Sequence, residues 1–123
     1  MRLNLEQSAG INIIHAVAAD EIRVGEWVLR KSVIIGTRDI IADWPVTSTR
    51  QLDEKSLESV LALDPDVVLL GTGRRLAFPS RKVYGAVLAR NIGLEVMDTA
   101  AACRTFNILA GEGRRVAAAL ILD

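Results

Sequence analysis

The sequence predicts an α/β domain, and three observations predict it. Val67-Val68-Leu69-Leu70 is a short unbroken apolar run, the pattern of a strand buried on both faces. Helical periods flank it: Leu57, Val60 and Leu61 fall at i, i+3 and i+4 before it, and Val83, Val87 and Leu88 recur after it. Upstream, the chain alternates and is rich in β-branched residues, with no helical period before residue 53.

The elements follow in order. Ile11 to Val17 reads as a partly alternating strand, and Glu21 to Trp27 as a strand with a bend at Gly25. Trp27 to Gly36 continues as a strand with a charged centre and an apolar end. Asp39 to Trp44 is a further short strand, and Pro45 holds Trp44 extended. Asp53 caps the first helix, Glu54 suits its first turn, and Pro65 stops it. After the Val67–Leu70 strand, Ser80 caps a second helix with Val83, Val87 and Leu88 inward and Gly93 as its stop. Leu94 to Met97 is a second central strand. Asp98 or Thr99 caps a third helix that runs to about Leu109 and ends at Gly111 or Gly113. Arg115 to Leu122 is a final strand, although its alanines also permit a helix. Strand–helix–strand–helix–strand implies parallel pairing through crossovers. The strand-rich first part adds antiparallel strands, as an edge extension or as a second small sheet. The expected core contains Val67, Val68, Leu69, Val96, Phe106 and Leu120. No linker or repeat interrupts the 123 residues, so one domain spanning 1–123 is expected.

Composition narrows the function classes. Half of the residues are hydrophobic, enough for a core, and only 4% are aromatic, which leaves few platforms for stacking bases. Lys+Arg and Asp+Glu both number 15, so there is no global pull on nucleic acid or an anionic membrane. The charge is nonetheless uneven. Residues 71–123 hold eight basic against four acidic residues, and the first 70 hold seven against eleven. Cys103 is the only cysteine and His15 the only histidine, which excludes an intrachain disulfide and argues against a Cys/His zinc site. Apolar runs are broken by charge well before the ~18 residues that a membrane span needs, and the start of the chain lacks a signal-peptide pattern. A cytoplasmic protein without a cofactor or metal is expected.

Two segments can hold chemistry. Asp66 to Arg75 ends an apolar strand in a glycine-rich loop with two arginines, and Asp98 to Asn107 opens the third helix. In open α/β sheets ligands bind beyond the carboxyl ends of strands, where both segments should lie. Gly71 and Gly73 let backbone N–H groups approach a ligand, Thr72 adds a hydroxyl, and Arg74 and Arg75 suit a carboxylate or phosphate. Asp98 and Thr99 would place the N-terminus of the third helix against the same ligand. The loop is neither a P-loop nor a dinucleotide fingerprint, because Gly-Lys-Ser/Thr and the third glycine are missing. The plainer readings are turn geometry for the glycines, solvation for the arginines and N-capping for Asp98. Cys103 falls at core spacing in the third helix with no base beside it in sequence, and His15 lies in an apolar strand, so both read as structural residues. No catalytic residue is assigned.

Gly71-Thr72-Gly73 followed by Pro79, Glu95-Val96-Met97-Asp98-Thr99, Ala102 to Asn107 and Gly113 to Leu120 occur in an order and spacing that resemble a domain-of-unknown-function family. That family includes proteobacterial and archaeal hypothetical proteins and the mitochondrial complex I assembly factor 3. The likeness covers nearly the whole chain and is strongest from residue 66 onward. It implies a compact three-layer α/β domain: a central mixed sheet with flanking helices and an additional N-terminal β layer. It also implies a role in assembling respiratory complex I, carried by the mitochondrial members. Ala100 stands where many relatives have glycine, which counts against a phosphate-cradling turn. The expected function is therefore that of a non-enzymatic partner-binding or assembly protein with a protein partner. The alternative is a small enzyme or sensor that binds an anionic metabolite at Gly71 to Arg75.

Overall fold

The computed structural model describes residues 3–6, 10–18 and 20–123, with backbone only at 3–6 and 16. Residues 1–2, 7–9 and 19 lie outside this range. Among the described residues, nine strands and three α-helices follow one another as β1 (Leu3–Glu6), β2 (Ile14–Ala18), β3 (Glu21–Val24), β4 (Trp27–Leu29), β5 (Val33–Gly36), β6 (Asp39–Ala42), α1 (Glu54–Leu61), β7 (Val67–Gly71), α2 (Arg81–Leu88), β8 (Gly93–Met97), α3 (Thr99–Gly111) and β9 (Val116–Leu120). The main sheet has the order β1-β6-β5-β9-β7-β8, and β2-β3-β4 form a separate antiparallel meander. β9, β7 and β8 are mutually parallel, while β1, β6 and β5 join antiparallel to one another and to β9. The sheet is mixed, as expected, and the N-terminal strands contribute both an edge extension and a second small sheet.

The layers follow from side-chain alternation. Val67 and Leu69 of β7 point to the face covered by α3 and the small sheet, where they meet Phe106, Ala102, Ile22 and Val24. Val68 and Leu70 point to the face covered by α1 and α2, against Val60, Val83 and Val87. The crossover from β7 to β8 and the one from β8 back to β9 run in opposite directions along the sheet, so their helices, α2 and α3, fall on opposite faces. β9 is Val-Ala-Ala-Ala-Leu and is buried throughout, so its central position overrides the helical preference of alanine.

Caps fall where the residue types demand them. Asp53 accepts the Ser56 N–H at 2.8 Å and donates its own N–H to Ser56 Oγ at 3.0 Å, a reciprocal capping box for α1. Asp98 caps α3 by accepting the Ala101 N–H at 2.8 Å.

Several expectations are corrected. β8 is the sheet's edge, not a second central strand, and Val96 is only half-buried. Leu88 is 59% exposed and does not face inward. Gly93 opens β8, and the chain turns after α2 at Asn91, whose φ is +58°. The stretch Trp27 to Gly36 is two strands in two different sheets, separated at Arg30 to Ser32 where the chain passes between layers. Trp44 lies just beyond β6, buried, with its indole N–H donated to the Ser56 carbonyl at 2.9 Å. His15 is exposed.

Candidate functional site

The loops after β7 and β8 leave the sheet toward opposite faces, and a crevice opens between them at the carboxyl ends of the parallel strands. Gly71 is needed there. A Cβ at this position would lie 2.9 Å from Thr99 Cα and 3.1 Å from Leu120 Cδ2, so the start of α3 rests directly on the end of β7. Gly73 has φ +105°, and a Cβ on it would meet the Asp123 carboxylate at 2.6 Å.

Hydrogen bonds join the three strand ends. Thr99 N–H donates to Gly73 O at 2.9 Å, and Thr72 N–H donates to Met97 O at 2.9 Å. The Thr99 hydroxyl accepts the Gly73 N–H at 2.8 Å and donates to Ile121 O at 2.7 Å. The Thr72 hydroxyl donates to Arg75 O at 2.6 Å and accepts the Ala77 N–H at 3.1 Å, which shapes the loop leaving β7. Both hydroxyls and the Gly73 N–H are thus engaged within the chain.

A cavity of about 330 Å³ lies over this junction. Its lining comes from Gly73 and Arg74, from Asp98 to Ala100, from Ile121 to Asp123, and from Val17 and Ala18 of β2. Of the residues singled out by sequence, the structure brings Gly73, Arg74, Asp98 and Thr99 to the cavity. Gly71, Thr72 and Arg75 stand outside its lining; Gly71 and Thr72 are buried beneath the loop, and Arg75 is exposed. The ionisable lining is Arg74 against Asp98 and Asp123. Arg74 donates its backbone N–H to Asp123 Oδ1 at 3.1 Å, and its Nε stands 4.0 Å from the same oxygen. The positive balance of residues 71–123 is therefore not concentrated here. Sequence reasoning missed the β2 wall and Asp123, because neither carries a local signal and only the layering brings them over the strand ends.

Cys103, on the buried face of α3, is 2% exposed, and burial pushes its thiol up to about 12 from a usual 9.0. A thiol so raised stays neutral at physiological pH and is a packing group. We expect it to resist Ellman's reagent in the native protein and to react on unfolding, with Cys103→Ala costing about 1 kcal/mol. The sign of the pH effect follows from the shift. The native state holds this proton more tightly than the unfolded chain does. The thiol's contribution is thus complete below about pH 9 and declines as pH rises toward about 12. Wild type should accordingly lose stability relative to Cys103→Ala across that alkaline range in parallel chemical-denaturation series. Fast native labelling would overturn the assignment.

Asn107, in the same polar segment as Asp98, proves structural. It donates Nδ2–H to Ile14 O and accepts the Ile14 N–H through Oδ1, both at 2.8 Å, and so closes the edge of β2 onto α3.

A family model described as a protein of unknown function (DUF498/DUF598) matches residues 14–121. The chain belongs to this family. It is 33% identical over 128 residues to human NADH dehydrogenase [ubiquinone] 1 alpha subcomplex assembly factor 3, an alignment that covers 95% of this chain and 70% of the human protein. Among solved structures it resembles a Xanthomonas campestris protein determined by NMR, with 46% identity, 98% of this chain and 91% of that chain covered, and a TM-score of 0.83. It also resembles a Bartonella henselae protein described as an outer membrane protein, with 29% identity, 92% and 96% coverage and a TM-score of 0.80. Among the described residues of this chain, no helix is long and apolar enough to cross a membrane.

Proposed function

We propose that this chain is a non-enzymatic partner-binding protein of the cytoplasm that assists the assembly of a complex I-type respiratory enzyme. The observation that carries this reading is the similarity to human assembly factor 3 across 95% of the chain. Burial of Cys103 argues only against a thiol nucleophile. Deleting the gene in an organism that makes complex I is expected to lower the amount of assembled complex on native gels while leaving its subunit transcripts unchanged. Tagged protein should co-purify with unassembled complex I subunits. Wild-type levels of assembled complex in the deletion strain would remove the reading.

A second reading rests on the cavity of about 330 Å³ at the ends of β7, β8 and β9, where a small anionic ligand would take the place of the Asp123 carboxylate beside Arg74. On this reading, millimolar inorganic phosphate or acetate shifts the amide resonances of Gly73, Arg74 and Thr99 together. Arg74→Ala with Arg75→Ala abolishes the shifts without loss of stability, since exposed arginines contribute little to folding. Absence of these shifts at millimolar anion leaves the junction as a structural device only.

A further inference from the structure

Strand edges are sites where another chain can add, and this protein treats its edges unequally. At the outer edge of β2, Asn107 occupies both the N–H and the C=O of Ile14, the first residue of the strand. The outer edge of β8 is open. In the parallel ladder with β7, Gly93 donates to Asp66 O at 3.0 Å and Met97 O accepts from Thr72 N–H at 2.9 Å. The register pairs Gly93, Glu95 and Met97 with Val67, Leu69 and Gly71. Those three residues of β8 therefore turn their main-chain groups toward β7, and the N–H and C=O groups of Leu94 and Val96 point away from the sheet. Among the described residues nothing bonds to them.

The surroundings of this edge are chemically distinct on its two faces. On the α2 face, Leu94 and Val96 are half-buried against the core. Val83 and Val87 of α2 face the sheet, and Lys82, Ala86 and Ala89 line the groove beside α1. At 100° per residue, Tyr84 and Leu88 then lie on the side toward the free edge of β8, where Leu88 is 59% exposed. On the opposite face, Glu95 is exposed and makes no ion pair among the described residues.

We propose that β8 is a strand-addition site for an extended segment of a partner protein. That segment carries apolar residues at alternate positions, over the Leu88 ledge, and a Lys or Arg on the intervening face against Glu95. Main-chain bonds to Leu94 and Val96 supply the affinity and the alternating pockets supply the choice of sequence. A second copy of β8 is a poor occupant, because Gly93-Leu94-Glu95-Val96-Met97 brings no cation to Glu95. The proposal rests on the partner-binding reading and gives it a surface.

The test uses the full chain, isotope-labelled, and an end-capped octapeptide of alternating valine and lysine, with valine–glutamate as its counterpart. The valine–lysine peptide is expected to shift the Leu94 and Val96 amides most and to slow their hydrogen exchange roughly tenfold, equivalent to about 1.4 kcal/mol of protection. Glu95→Lys, an exposed change that should melt like wild type, is expected to reverse the preference between the two peptides. Shifts centred elsewhere, equal response to both peptides, or no response at millimolar peptide would overturn the site. Concentration-dependent shifts at Leu94 and Val96 without peptide would overturn it too, by assigning the edge to a second copy. In the deletion strain, Glu95→Lys is expected to fail to restore assembled complex I. Full restoration sinks the edge site and leaves the partner-binding reading intact. A deletion without phenotype sinks that reading, and the peptide response then decides the edge alone.

Discussion

Val68→Asp is expected to abolish cooperative folding. Val68 is 1% exposed at the middle of β7, packed between β9 and β8 and facing the core under α1 and α2. The substitution first forfeits the burial of a valine side chain, about 1.5–3 kcal/mol. It then places a carboxyl among Val83, Val87, Ala117 and Ala119, none of which can pair with it. A buried carboxyl escapes ionisation by raising its pKa by up to ~3–5 units, which at pH 7 costs about 4 kcal/mol, because the unfolded carboxyl ionises near about 3.9 and the folded one is then held neutral. The total reaches about 6–7 kcal/mol, against a whole-domain stability of about 5–15 kcal/mol. Because the carboxyl in the folded state would be the weaker acid, the penalty is smallest below the ordinary aspartate pKa and grows as pH rises through the physiological range. Circular dichroism melts and amide dispersion at pH 7 check this, with Val68→Ala as a comparison that should still fold, about 2 kcal/mol less stable. A soluble Val68→Asp protein that melts cooperatively near the wild-type temperature would overturn the placement of β7 at the centre of the core.

That placement was legible because β7 is apolar at every position, a pattern demanded only of strands covered on both faces. The same logic misled at β8. Leu94 and Val96 are apolar because α2 covers one face of that strand, which resembles centrality when read as composition. Glu95 held the contrary signal, since a charged residue in mid-strand is how an edge faces water. Leu88 failed similarly: it continues the period of Val83 and Val87 yet sits a further 100° round the helix, beyond the last contact with the sheet. Arg30 to Ser32 gave no periodic signal that the chain was changing layers. At the strand ends, Gly71, Gly73, Asp98 and Thr99 were readable as a junction because glycine and capping residues have few local roles. The opposing wall from Val17, Ala18 and Asp123 was not, because it depends on how a separate sheet and the end of the chain lie across the crevice.

The junction itself supports the second large prediction. Thr99 is 4% exposed, and its hydroxyl is the shared partner of two buried main-chain groups, the Gly73 N–H and the Ile121 carbonyl. Thr99→Val keeps the shape and the β-branched rotamer but removes both bonds, leaving a main-chain donor and acceptor without their protein partner. Each orphaned group costs about 1–3 kcal/mol, so the variant should lose about 2–6 kcal/mol, far above the median for a single substitution. Thr99→Ser keeps the hydroxyl and loses only a methyl group, at about 1 kcal/mol. Comparing the two separates hydrogen bonding from packing, because valine retains the volume and serine retains the chemistry. The difference should also be local: hydrogen exchange at Gly73 is expected to accelerate in Thr99→Val far more than at Val68 in the centre of β7. Denaturation midpoints and residue-resolved exchange on the three proteins decide the matter. Equal stability of the valine and serine variants would mean that the three strand ends are held by packing alone, and that the two hydrogen bonds of the Thr99 hydroxyl contribute nothing net.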